Sequence, residues 1–212
     1  MCIRDSYCNE GSPTLSGCQI TDNSIFHSGG DPCSDCAGAE CGQAEGMGIA
    51  GYKTTLTITN CVIEGNTVAD QFTTDCDSNS SQTASSGGGL WFKESTVSIT
   101  DTVISNNWAR LYGGIYAYET ITHLLRCEIR GNNDTGIYLD EGDEGTISEC
   151  LIDSNTNAGI SMYETNLELT DSFITGNSIG IDAGESASAG VQRTVIKDNS
   201  YGGGQGAVSY TH

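Results

Sequence analysis

The 212-residue sequence predicts an all-β fold, a parallel β-helix solenoid of about seven coils with two loop insertions. Three observations predict it. The pattern [Cys/Ser/Thr]-x-Ile-x-x-Asn occurs seven times, and its last four intervals are 25, 23, 22 and 22 residues. A unit of that size cannot bury a hydrophobic face alone, so copies stack and share a continuous core. Composition agrees: 28 glycines, two prolines and β-branched runs without helical periodicity suit short strands and frequent turns.

The elements of one coil follow from the aligned repeats. The pattern starts at Cys18, Cys61, Thr102, Cys127, Cys150, Ser172 and Thr194. Three residues earlier stands an apolar residue: Leu15, Ile58, Ile99, Leu124, Ile147, Leu169 and Val191. After the Asn comes Gly-[Ile/Leu], as at Gly114-Ile115 and Gly136-Ile137. Each coil thus holds three short alternating strands separated by turns. The in-register asparagines, Asn23 to Asn199, predict a stacked amide ladder at a turn whose left-handed backbone favours Asn. The aligned Cys, Ser and Thr side chains point inward, either as small core fillers or as a metal stack.

The first two intervals, 43 and 41 residues, are longer and place insertions near 27–47 and 69–87, both between the Asn turn and the Gly-Ile strand. Cys33, Cys36, Cys41 and Cys76 fall in them, which suggests two disulfides with three possible pairings. Cys33 and Cys36 could instead serve a zinc site, although no second pair at ligand spacing completes one. Cys8 has no evident partner. Asp75-Cys76-Asp77-Ser78-Asn79 begins like a calcium loop, but Ser80 and Ser86 stand where Gly and a carboxylate are needed.

On these repeats the chain resembles the right-handed β-helix repeat family, the pectin-lyase-like fold, over residues 13–206. The runs "GGGL" at Gly87–Leu90 and "YGGI" at Tyr112–Ile115 are similar to repeats of surface-exposed bacterial β-helix proteins. The resemblance implies right-handed coils and a secreted or cell-surface protein. It does not name an activity, because the fold hosts enzymes and adhesins alike. Lyases of this fold need calcium-holding acids with an Arg or Lys base; the related hydrolases need clustered Asp with a His and a basic clamp. Here Arg126 and Arg193 align with Glu149 and Asp171, and Arg130 neighbours Asp153, as inter-coil charge pairs of little individual worth. His123 and His27 share no site. No catalytic constellation is legible.

The termini are read separately. Under one choice of codons, residues 1–6 and 207–212 are the same DNA in opposite orientations, similar to a sequencing-adapter end. They are set aside as a scar. Residues 7–206 are then expected to be an internal piece of a longer gene, with the rest of the parent chain stacked on both ends. The net charge of −20 argues against nucleic acid as a partner. No apolar stretch approaches the ~20 residues of a membrane-spanning helix.

Two sets of columns point to binding. Alternation along the strand after Gly-Ile turns Ala50, Trp91, Tyr116, Tyr138, Ser161 and Asp182 outward, followed by Tyr52, Lys93, Tyr118, Asp140 and Tyr163. From Trp91 to Tyr163 this predicts a strip of exposed rings and carboxylates. It suits either the apolar faces of sugars or cross-strand aromatic pairing worth roughly 0.2–1 kcal/mol per pair. Beside it Glu94, Glu119, Glu141, Glu164 and Glu185 recur in five successive coils, thickened by Asp140, Asp143 and Glu144. Such a column either splays into water or is bridged by calcium. Two functions remain open: a non-catalytic adhesion, binding or structural module that takes a polysaccharide or cell-surface glycan with calcium, or the scaffold part of a polysaccharide lyase or glycoside hydrolase whose catalytic coils lie elsewhere.

Overall fold

A computed structural model describes residues 6–26, 48–69, 86–142, 144–200 and 208–210. The strands are three to six residues long and every pairing is parallel, each strand lying on its counterpart in the next coil. Sheet 1 runs Ser6–Asn9, Ile49–Tyr52, Leu90–Lys93, Ile115–Tyr118, Ile137–Asp140, Ala158–Tyr163 and Ile179–Ala183. Sheet 2 holds eight strands from Thr14–Ser16 to Val208–Tyr210, and sheet 3 seven from Gln19–Thr21 to Val195–Lys197. The expected parallel β-helix is what the chain forms. Ser24–Phe26 and Thr67–Ala69 add a two-stranded side sheet.

One coil shows why the sequence does this. Ile115 and Ala117 point inward from sheet 1, Thr122 and Leu124 from sheet 2, and Ile129 from sheet 3, all buried. The corners between them need a left-handed residue. Glu119 and Arg126 supply two, with φ of 48° and 51°, and Gly131 the third at 62°. Non-glycine residues rarely adopt such a φ. Here each compensates by donating its N–H to the next coil, as Glu119 does to Asp140 O at 2.9 Å and Arg126 to Ser148 O at 3.0 Å.

Side-chain ladders close the remaining polar groups. Asn107 Nδ2 donates to Asn132 Oδ1 at 3.0 Å and to Ile63 O at 3.0 Å, while its backbone N–H reaches the same Asn132 Oδ1 at 3.0 Å. The motif repeats from Asn23 to Asn199. The expected amide ladder is therefore present, but its turn geometry differs from expectation. The left-handed residue is the one before each Asn: Asp22, Gly65, Asn106, Gly131, Ser154, Gly176 and Asp198. The preceding residue makes the corner, which frees Asn to turn its amide inward. The Cys/Ser/Thr column forms a second ladder: Cys150 N–H donates to Ser172 Oγ at 3.1 Å, and Ser172 Oγ donates to Thr170 O at 2.8 Å. A third, not anticipated, joins Thr54, Ser95 and Thr120 just past the glutamate corner.

One inward hydroxyl breaks the rule that buried polar atoms are paired. Thr122 is 1% exposed, and among the described residues its Oγ1 is the buried side-chain atom without a hydrogen-bond partner. Its neighbour in the column is Val97. Thr122→Val, similar in shape, should raise stability by about 1 kcal/mol, read as a higher urea midpoint; a lower midpoint would show that the hydroxyl is satisfied in solution.

The strand Val208–Tyr210 pairs with Ala189–Val191 and ends sheet 2 among the described residues.

Candidate functional site

The outer face of sheet 1 carries the chemistry because register stacks its side chains. Ala50, Trp91, Tyr116, Tyr138 and Ser161 lie on successive strands in one column. Trp91 and Tyr116 stack with ring centroids 6.2 Å apart, and Tyr116 and Tyr138 with 5.7 Å at an interplanar angle of 8°. Tyr112, which periodicity did not single out, adds a fourth ring 3.8 Å from Tyr138 and 5.5 Å from Tyr116. A left-handed φ of 55° and an N–H bond to Asp134 Oδ2 at 3.0 Å turn it there. Its signal would have been the loop geometry of "LYGG", which no strand alternation reports.

The second column, Tyr52, Lys93, Tyr118, Asp140 and Tyr163, is half-buried and alternates ring with charge. Tyr118 Oη donates to Glu141 Oε2 at 2.8 Å and Tyr163 Oη to Glu185 Oε2 at 3.3 Å. Lys93 Nζ sits 5.2 Å from the Tyr118 ring centroid. Tyr138 Oη donates to Asp140 Oδ2 at 3.3 Å. Burial pushes the Asp140 carboxyl above its ordinary range, with Glu141 and Glu164 adding repulsion while the Tyr138 hydroxyl opposes it.

A family model described as a right-handed beta helix region matches residues 48–201. The chain belongs to the right-handed β-helix family. Among solved structures, this β-helix is similar to the Azotobacter vinelandii Mannuronan C-5 epimerase AlgE4 A-module. The identity is 11%, the TM-score is 0.31, and the match covers 90% of this chain and 68% of that one. A search of curated protein sequences finds no match.

Several expectations about this β-helix face need correction. Trp91 is not exposed: it is 5% accessible, and Ala50 4%. Alternation sets the direction of Trp91, but the turn at Gly87 lies close against the base of its side chain. A Cβ added to Gly87 would lie 2.9 Å from the Trp91 Cβ. Tyr116 and Tyr138 are half-buried, and their faces are largely spent on one another and on Tyr112. The first column therefore packs, and the second meets solvent.

The glutamates do share one edge of sheet 1. Glu94, Glu119, Glu141 and Glu164 are the left-handed corner residues, with φ from 47° to 49°. Glu185 sits one step off, because the corner there falls on Ser186 (φ 54°) after one extra residue. Lys53 occupies the same corner (φ 50°), with Nζ 3.4 Å from Glu94 Oε2. Among the described residues, no three His, Cys, Asp or Glu side chains converge as metal ligands.

Arg193 takes its aligned Asp171 as expected, whereas Arg126 and Arg130 pair differently from expectation. Arg126 grips Asp101 in a fork at 2.7 and 2.9 Å, and Arg193 grips Asp171 at 2.6 and 2.7 Å. Both carboxyls are held below their usual range by these guanidinium bonds. Arg130 turns to Glu128 at 3.4 Å, although its register neighbour is Asp153. His123 Nδ1 meets Thr146 Oγ1 at 2.8 Å. Cys33, Cys36, Cys41, Cys76, His27, Asp143 and the calcium-like stretch 75–79 lie outside the described residues. Cys8, Cys18, Cys61, Cys127 and Cys150 are free thiols.

The same contacts set an alkaline response. The bond to Glu141, with lesser help from burial, pushes the Tyr118 phenol up to about 12. Burial raises Tyr138 and Tyr112, and the Glu185 and Glu164 charges raise Tyr163. A raised phenol favours the neutral form in the folded state. The stabilisation is whole below the unfolded value of about 10 and is lost as pH climbs through the folded value. Phenolate absorbance at about pH 11 should show fewer ionised tyrosines in the native protein than in urea; equal ionisation would contradict these contacts.

Proposed function

We propose that this β-helix is a non-catalytic module of a secreted or cell-surface protein that binds polysaccharide or cell-surface glycan along the outer face of sheet 1. The observation that carries the reading is the second outward column, where Tyr52, Tyr118 and Tyr163 alternate with Lys93 and Asp140 on successive coils. Coils lie roughly 4.8 Å apart, so equivalent rings recur at about twice that distance. That repeat suits an extended glycan chain, whose sugars offer an apolar face to each ring and hydroxyls to the carboxylates between. The rigid sheet fixes these groups before binding and so limits the ordering cost.

Charge narrows the ligand. With a net charge of −20, a neutral or basic glycan meets less repulsion than an acidic one. Calcium enters the proposal as a bridge between neighbouring corner glutamates and an acidic glycan, oxygen ligands being what this cation takes.

A glycan array with the parent protein, Tyr118→Ala, Tyr163→Ala and Tyr138→Ala tests the reading. Tyr118→Ala and Tyr163→Ala should each weaken binding about tenfold at unchanged folding, a loss of ~1.4 kcal/mol. Tyr138→Ala should lower stability first, because its ring is stacked. Acidic glycans should bind only with millimolar calcium, which should also raise the melting temperature of chelator-treated protein. Equal glycan binding by the parent and both column-two variants would refute the site. An unchanged melt would remove calcium from it.

A further inference from the structure

We propose that Cys18 and Cys61 form a redox-active pair that closes to a reversible inter-coil disulfide. Register brings them together: Gln19 pairs with Val62, so the preceding residues, Cys18 and Cys61, stand one above the other. The Cys18 N–H donates to Cys61 Sγ at 3.4 Å, which puts the Cys61 sulfur against the Cys18 backbone. Parallel strands lie ~4.8 Å apart, inside the Cα separation of about 4.4–6.8 Å that a disulfide spans. Parallel Cβ vectors at that spacing are wider than the ~3.8 Å of a relaxed bridge. The bond therefore forms with strain, and a strained disulfide is the readily reduced kind.

The ladder contains a second stacked pair, Cys127 and Cys150, with Cys127 N–H donating to Cys150 Sγ at 3.4 Å. Both of those thiols are buried, at 1% and 2% exposure, with coils on either side. Cys18 differs on both counts. It is half-buried, and among the described residues Gln19–Thr21 is the end strand of sheet 3. Its partial exposure gives a small oxidant an access that the buried pair lacks.

The chemistry balances with a small-molecule disulfide as oxidant. The Cys18 thiolate attacks one sulfur of glutathione disulfide, forming a mixed disulfide and releasing one glutathione thiolate. The Cys61 thiolate then attacks the Cys18 sulfur and expels the second. Two protein thiols lose two electrons, the oxidant gains them, and the two thiol protons pass to the released glutathiones.

The test treats the folded chain with glutathione disulfide, traps free thiols with iodoacetamide, and maps all ten cysteines by mass spectrometry. The expected product links the Cys18 peptide to the Cys61 peptide, is opened by dithiothreitol, and leaves Cys127 and Cys150 reduced. The oxidised protein should also unfold at a higher urea concentration. Cys61→Ser keeps the ladder, since Ser172 makes the same bonds in the same column. That variant should stop at a Cys18–glutathione adduct, with no rise in the midpoint. Recovering Cys18 and Cys61 both free, Cys18 joined to any other cysteine, or a persistent glutathione adduct on the parent would each overturn the proposal.

Discussion

Asn132→Ala should lower the urea midpoint of unfolding by about 1–2 M, a loss of roughly 4 kcal/mol. Asn132 Oδ1 accepts two bonds from the coil below, from the Asn107 N–H and Nδ2, and its own Nδ2 donates to Ile104 O and Asn155 Oδ1 at 3.0 and 3.1 Å. The side chain is fully buried. Truncation removes the donor to Ile104 O and the acceptor shared by the Asn107 N–H and Nδ2. Each buried group left unpaired costs about 1–3 kcal/mol, against a total stability of about 5–15 for a typical domain. Asn157→Ala provides the comparison. Its Nδ2 donates to Asp134 Oδ1 at 2.9 Å at the exposed surface, where water can substitute, so it should cost under about 1 kcal/mol. Equal effects for the two would mean that the ladder is not a buried polar column.

Gly114→Ala should cost about 3 kcal/mol or more, although it adds a single methyl group. An added Cβ would lie 2.1 Å from Gly136 O and 3.0 Å from Gly136 C, both backbone atoms of the next coil. No rotamer relieves that contact. The coils must part, which lengthens the Ile115 N–H bond to Gly136 O, now 2.9 Å. The same substitution at Gly190 should have the opposite sign. Its nearest neighbour would be Leu167 O at 4.0 Å, and removing unfolded-chain freedom there should stabilise by about 0.4–1 kcal/mol. Paired urea titrations of the two variants decide the matter; if Gly114→Ala is neutral, the coils are not in the close contact described.

The residues show how far reading the sequence reaches. Cys127, Ile129 and Asn132 recur at one interval, and identical spacing in identical coils leaves stacking as the arrangement that buries every isoleucine. The ladders and the shared edge of the glutamates follow from that interval. Tyr112 and Trp91 do not. Tyr112 reaches the ring stack from a turn, and Trp91 is buried on a face that its own strand pattern turns outward. The one-residue shift at Glu185 is likewise a property of the corner length in three dimensions.

The repeat alone defines the coil: period, inward and outward positions, and the columns that neighbouring coils align. These are local and periodic properties, set by alternation along each strand and the need of each unit to cover its neighbour. Packing between coils settled which outward rings are spent on each other and which meet solvent, which carboxylates Arg126 and Arg130 take, and which residue carries each left-handed corner. Those outcomes depend on distances between segments that are remote along the chain, where a shift of one residue or one covering loop changes a side chain's partner without changing the repeat.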